Sequence, residues 1–145
     1  MRVDFYHLTR QPLARVLPRL VERVLAQGER LVIVAGDEDQ RAALDRLLWD
    51  YAAESFLPHA IAGAMDDAAQ PVLIAEAPAP LNAARHVMLA DGVWRDEALA
   101  FERAFHLFDE AAIAAARAAW RGLADRPGVE RRYWKQGEKG WEQAA

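Results

Sequence analysis

Cysteine is missing from this sequence of 145 residues, so disulfide bonds and thiolate metal sites are excluded at once. Its absence also suits a reducing compartment. Serine and threonine are nearly missing too: Thr9 and Ser55 stand alone. No G-x-S-x-G elbow surrounds Ser55, and no base can be assigned to it, so a serine hydrolase has no support. No apolar run approaches the roughly 20 residues a membrane span needs. The opening stretch 1–10 has no basic segment followed by an apolar one, so no signal peptide is expected. The chain reads as a soluble, cytoplasmic protein without membrane contact.

What is present describes an ordinary globular domain. Hydrophobic residues make up 53% and charged residues 28%, enough for one core in a single domain over 1–145. The net charge of −4 argues against a pervasive basic surface, so direct nucleic-acid contact is expected to be weak or indirect. The charge is uneven. Residues 116–145 hold seven Arg/Lys against four acids, a net +3 that leaves −7 for the rest. A basic C-terminal helix and tail, from about residue 110, invites an acidic partner; a solvated helix face would carry the same charges.

The hydrophobic pattern alternates between two periods. Val3–Leu8 reads as a strand. Leu13, Val16, Leu17, Leu20, Val21, Val24 and Leu25 recur at helical spacing, with Gly28 as the stop. Pro18 inside that pattern must kink the helix or mark the first turn of its regular part. Leu31–Ala35 is a continuous apolar run, as in a strand buried on both faces. Asp37 and Gln40 have capping-box spacing before a helix through Leu44, Leu47, Leu48 and Tyr51. Residues 52–70 read as one long loop. Strands are expected at Val72–Ala75, His86–Leu89 and Ala104–Phe108, with a short helix near Ala98–Arg103. Residues 110–123 are alanine-rich and helical. Val129–Lys135 reads as a last strand, with Trp141 in the tail. Strands alternating with helices predict a mostly parallel α/β sheet covered on both faces.

Catalytic chemistry finds little to stand on. The connection Thr9–Pro12 contains no glycine. The connection Ala35–Asp39 has one glycine and three carboxylates, where phosphate binding calls for glycine-rich backbone. Those acids suit a helix N-terminus instead. His7, His59, His86 and His106 lie on different elements, none at the spacing of a helical metal site. No cofactor or metal is expected, and an enzyme is unsupported.

Trp49 is more informative. Leu44, Leu47, Leu48 and Tyr51 define the buried stripe of its helix, and Trp49 falls about 140–150° from the centre of that stripe. It faces away from the sheet, beside Ser55-Phe56-Leu57-Pro58-His59. An exposed tryptophan next to phenylalanine and proline has the make-up of an interface. The other reading is that the 52–70 loop folds back over it.

Leu44-Asp45-Arg46-Leu47-Leu48-Trp49 followed by Ser55-Phe56-Leu57-Pro58-His59 resembles the signature of the chi subunit family of bacterial DNA polymerase III. Val3–Leu8, Pro71–Ile74, Phe101-Glu102-Arg103 and Ala116–Arg121 fall in the matching order, so the resemblance covers essentially the whole chain. It implies a Rossmann-like three-layer sandwich, with no catalytic site, that links the clamp loader to single-stranded-DNA-binding protein. Trp49, Phe56, Leu57 and Pro58 would receive the psi subunit or another clamp-loader or helicase partner. Arg117, Trp120 and Arg121 would receive the acidic, phenylalanine-ended tail of single-stranded-DNA-binding protein. Physics supports the second set separately. Three- and four-residue spacing puts all three on one helical face, and arginines suit a carboxylate. Two stretches, Asp91–Asp96 and Arg121–Pro127, depart from the family's usual pattern. The tail Tyr133–Trp141 resembles a branch in which a psi partner is not always evident. The competing readings are a small nucleotide-binding enzyme on the same fold and an interaction module outside replication.

Overall fold

Along the first strand, β1 (Arg2–His7), Val3, Phe5 and His7 point to one side and Asp4 and Tyr6 to the other. Each side meets its own core, because helices cover both faces of the sheet. The computed structural model describes residues 1–51, 57–64 and 66–145. The remaining regular elements are α1 (Leu13–Ala26), β2 (Leu31–Val34), α2 (Glu38–Asp50), β3 (His59–Ile61), β4 (Val72–Ala75), β5 (His86–Leu89), β6 (Arg103–Phe108), α3 (Ile113–Gly122), β7 (Glu130–Gly137) and β8 (Gly140–Gln143). One sheet runs β3-β4-β2-β5-β6-β1-β7-β8. All pairings are parallel except the β7–β8 hairpin.

The expected strands and helices are present, with informative differences. The 52–70 stretch is not one loop, since β3 and a 3-10 turn at Asp67–Ala69 lie within it. Three residues are too few to show a period. The short helix expected at Ala98–Arg103 is a 3-10 turn at Asp96–Ala100. Trp141 is not in a free tail but in β8, whose single large apolar residue gives no alternation to read.

Helix α1 runs through Pro18 without restarting there, and its face of Val16, Leu17, Pro18, Leu20, Val21 and Val24 is buried. Gly28, at φ +77°, ends it in the left-handed region that glycine takes without strain. In α2 only half of the expected capping box forms. Asp37 accepts from the Gln40 backbone N–H at 3.1 Å, but the Gln40 side chain donates to the Ala90 carbonyl.

Helices α1 and α2 cover Tyr6, Leu31, Ile33, Val72 and Ile74. Helix α3 covers the other face, where Ala116 and Leu123 meet Val3, Phe5, Val87 and Phe108. Between β6 and β7, Asp4 is fully buried yet satisfied. Arg103 Nε donates to it at 2.9 Å, Trp134 Nε1 at 2.9 Å, and Arg2 reaches it at 3.0 Å. No helix of the described residues is long and apolar enough to cross a membrane.

His106 sits in an aromatic cage with ring centroids of Phe5, Trp94 and Phe108 at 5.2, 5.6 and 5.5 Å. Neither of its ring nitrogens finds a hydrogen-bond partner among the described residues. Burial drives its pKa down from 6.5 to about 4. The unfolded chain therefore takes up a proton below pH 6.5, whereas the folded chain does so only near pH 4. Stability should fall as pH drops through this window, by roughly 1 kcal/mol per pH unit. Urea unfolding of the wild type and of His106→Phe isolates this contribution. A difference between them that stays constant from pH 6.5 to pH 4 would contradict the burial account.

Candidate protein-binding surfaces

A parallel sheet brings the C-terminal ends of β1, β2, β5 and β6 to one edge, where α/β proteins commonly bind ligands. Chain order reverses between β2 and β5, and this crevice is filled from within. The Asp91 carboxylate accepts from the Gly36 backbone N–H at 3.0 Å and takes two hydrogen bonds from Arg95, both at 2.8 Å. Burial works against the ionised carboxyl, but Arg95 and the Gly36 and Val93 amides hold it below the usual carboxylate range. What remains is a cavity of about 150 Å³ beside Gln40 and Gly92. The first strand-to-helix connection is occupied too. The backbone N–H groups of Thr9, Arg10 and Gln11 donate to the side-chain carbonyl of Gln136 at 3.0, 2.7 and 2.9 Å. Both connections where a nucleotide phosphate was weighed are thus closed by the chain's own side chains. The four histidines remain apart, and no metal-binding cluster forms among the described residues.

The face carrying α3 has an open groove of about 460 Å³. Trp120 and Tyr133 line it, with ring centroids 5.7 Å apart and edge-to-face. Trp120 also meets Phe5 edge-on at 5.3 Å, and the Arg131 guanidinium lies 4.0 Å from its ring centroid. The Trp120 ring is thereby fixed on both sides. Arg117 and Lys135 bring positive charge to the rim, and neither forms an ion pair among the described residues. At one end His7 Nε2 lies 2.8 Å from Glu110, and its Nδ1 lies 3.3 Å from the Tyr133 hydroxyl. Burial raises the Tyr133 pKa, while Arg117 pulls it down.

This groove unites two of the three C-terminal residues expected to act together. Arg117 and Trp120 line it; Arg121 is exposed but is not part of the lining. A four-residue step along a helix advances about 6 Å, enough to carry Arg121 past the groove. Sequence reasoning missed Tyr133 and Lys135 as groove residues. Their signal is the two-residue period of β7, which sets Arg131, Tyr133 and Lys135 on one side.

The second expected surface divides. Trp49 is 56% exposed, as its helical angle requires. Its ring centroid lies 5.0 Å from that of His59. His59 is buried against α2, with Nε2 3.1 Å from the Asp45 carboxylate and Nδ1 2.5 Å from the Leu57 carbonyl. That anchor ties the start of β3 to α2, while Pro58 faces the C-terminal end of α1. Leu57, expected on the surface with its neighbours, is 5% exposed and belongs to the core. Its carbonyl meets the ring of the buried His59, which draws this residue inward with the histidine. Phe56 lies outside the described residues. Next to Pro58 is a groove of about 590 Å³, between the C-terminal end of α1 and Pro71.

The two stretches expected to depart from the family pattern, 91–96 and 121–127, meet each other. Asp96 accepts from Trp94 Nε1 at 2.7 Å and from Arg126 at 2.9 Å.

Comparison with known proteins agrees with this geometry. The family model described as "DNA polymerase III chi subunit, HolC" matches residues 1–130. A curated relative from Pseudomonas aeruginosa, DNA polymerase III subunit chi, is 39% identical over 84 residues. That alignment covers 56% of this chain and 58% of the relative, so the match spans little more than half the relative's length. With the family match running from the first strand into the start of β7, the chain belongs to the DNA polymerase III chi subunit family.

Proposed function

We propose that this protein is a non-catalytic accessory subunit in DNA replication, one that links the clamp-loader assembly of DNA polymerase III to the C-terminal tail of single-stranded-DNA-binding protein. The observation that carries this reading is the groove on the α3 face. Its aromatic wall of Trp120 and Tyr133 suits a phenyl ring, and Arg117 and Lys135 suit carboxylates at the rim. Arg121, exposed one turn beyond, is available to acidic residues further along the same peptide. The overall arrangement reads as a Rossmann-like three-layer sandwich turned to protein binding, with its nucleotide crevice taken by Asp91 and Arg95.

The reading also assigns a partner to the opposite side of the molecule. Trp49 and Pro58, with Phe56 between them in sequence, would receive psi or an equivalent clamp-loader or helicase partner. Leu57 would support that surface from the core.

A short acidic peptide ending in phenylalanine should bind the wild type, more weakly as salt is raised. Arg117→Ala and Lys135→Ala should each lose about tenfold in affinity, the worth of one charge-assisted hydrogen bond. Fluorescence anisotropy measures both effects. Wild-type protein that shows no salt-sensitive binding to this peptide defeats the proposal.

Trp49→Ala should change unfolding free energy by only about 0.5 kcal/mol, as at other exposed positions, yet impair capture of a purified psi partner. Chemical denaturation and a pull-down read the two halves of this expectation. Major unfolding of the variant would place Trp49 in the core.

A further inference from the structure

The net charge of −4 hides a strong separation. Residues 10–23 carry Arg10, Arg15, Arg19 and Arg23 against Glu22 alone, a net +3. Residues 116–145 carry another +3, while residues 24–115 carry −10. The fold places the end of the second segment, the β7–β8 hairpin, beside the first, while Arg117 and Lys135 face the other side of the sheet. Helix α1 lies on the sheet face opposite α3, beside the β7–β8 hairpin. Between them is a second groove of about 300 Å³, lined by Arg10, Arg19, Gln136, Glu138 and Trp141 among others.

Three features give this groove a chemical character. The first is cationic. Arg10, Arg15, Arg19 and Arg23 are exposed, and none makes an ion pair among the described residues. The three on α1 are four residues apart, so they form one stripe along the helix, with about 6 Å of rise between neighbours. The second is aromatic. Trp141 pairs with Gln136 across the hairpin and rests edge-on against Tyr6 at 5.0 Å, which holds its half-buried ring in place at the groove wall. The third is the backbone. Gly140 leaves its end of the hairpin open, so a chain can come close there, whereas the Glu142 side chain covers Gly137. Glu138 is the one carboxylate in the lining.

Arg10 and Arg19 beside a fixed aromatic ring, with the α1 stripe continuing from Arg19, make a combination that suits single-stranded nucleic acid without sequence preference: cations follow the phosphates and the ring stacks a base. An acidic peptide could use the same groups, but cations spaced evenly along α1 suit the regular repeat of a phosphate backbone better than the irregular carboxylates of a peptide. We infer that the α1–hairpin groove, centred on Arg10, Arg19 and Trp141, is a contact site for single-stranded DNA. It lies on the opposite face of β7 from the Trp120 groove and does not depend on the tail-binding proposal.

The test is anisotropy of a fluorescein-labelled oligothymidylate titrated with the full chain at several salt concentrations. Binding should be salt-sensitive, and the slope of log affinity against log salt should shrink by about 0.7 for each arginine contact removed. The double variant Arg10→Ala/Arg19→Ala should weaken binding in this way. Trp141→Leu keeps an apolar group against Tyr6 while removing the stacking face, and should lose about tenfold. Arg117→Ala, across the sheet, should leave oligothymidylate binding unchanged and serves as the control. The inference is overturned if the oligothymidylate fails to bind at low salt, or if binding survives the double variant undiminished. It is also overturned if only a polyglutamate peptide binds through Arg10 and Arg19, which would mark the face as a protein contact.

Discussion

A carboxylate taken wholly out of water costs several kcal/mol unless its hydrogen bonds are replaced, and Asp4 in the middle of β1 is such a carboxylate. Its replacements come from both neighbouring strands, Arg103 on β6 and Trp134 on β7, with Arg2 from its own. These bonds close only when β6, β1 and β7 lie in their observed register. The register then settles the rest of this half of the molecule. Phe5 stands beside Tyr133 on one face and Tyr6 beside Trp134 on the other. Trp120 of α3 rests on the first pair and Trp141 of β8 on Tyr6. Both grooves are consequences of the way β1 alternates.

Much of this was legible in the sequence. Long elements with a clear period, such as α1 and the apolar strand β2, announce themselves, and the helical angle of Trp49 correctly predicted its exposure. Elements too short or too polar for a period did not. His59-Ala60-Ile61 holds only three residues, and Gly140-Trp141-Glu142-Gln143 has a single hydrophobic side chain. Leu57 was misplaced because neighbours in sequence were treated as neighbours on a surface. Whether it turns inward is decided by the His59 anchor fourteen residues from Asp45. Arg117 and Trp120 could be grouped from helical spacing, but Tyr133 and Lys135 reach the same groove only through sheet register, which a single sequence does not state.

The Trp120 groove also illustrates how a small domain can hold aromatic groups rigidly in an open groove. Its aromatic wall belongs to α3 and β7, and the Trp120 ring is held edge-to-face by Phe5 and Tyr133. Little conformational entropy remains to be lost there when a ligand arrives, which favours modest but fast and reversible recognition. Charge at the rim steers encounter more than it tightens the complex. That balance suits a connection that has to be made and broken repeatedly.

One further consequence concerns ancestry. Asp96 receives hydrogen bonds from Trp94 on its own segment and from Arg126 on a segment 30 residues away. Those two segments are the ones that the sequence suggested as departures from the family's pattern. Exchanging either with a relative, while keeping the other, would leave Arg126 or Asp96 facing a stranger. The two stretches, far apart in sequence, are thus joined in the folded chain by one carboxylate.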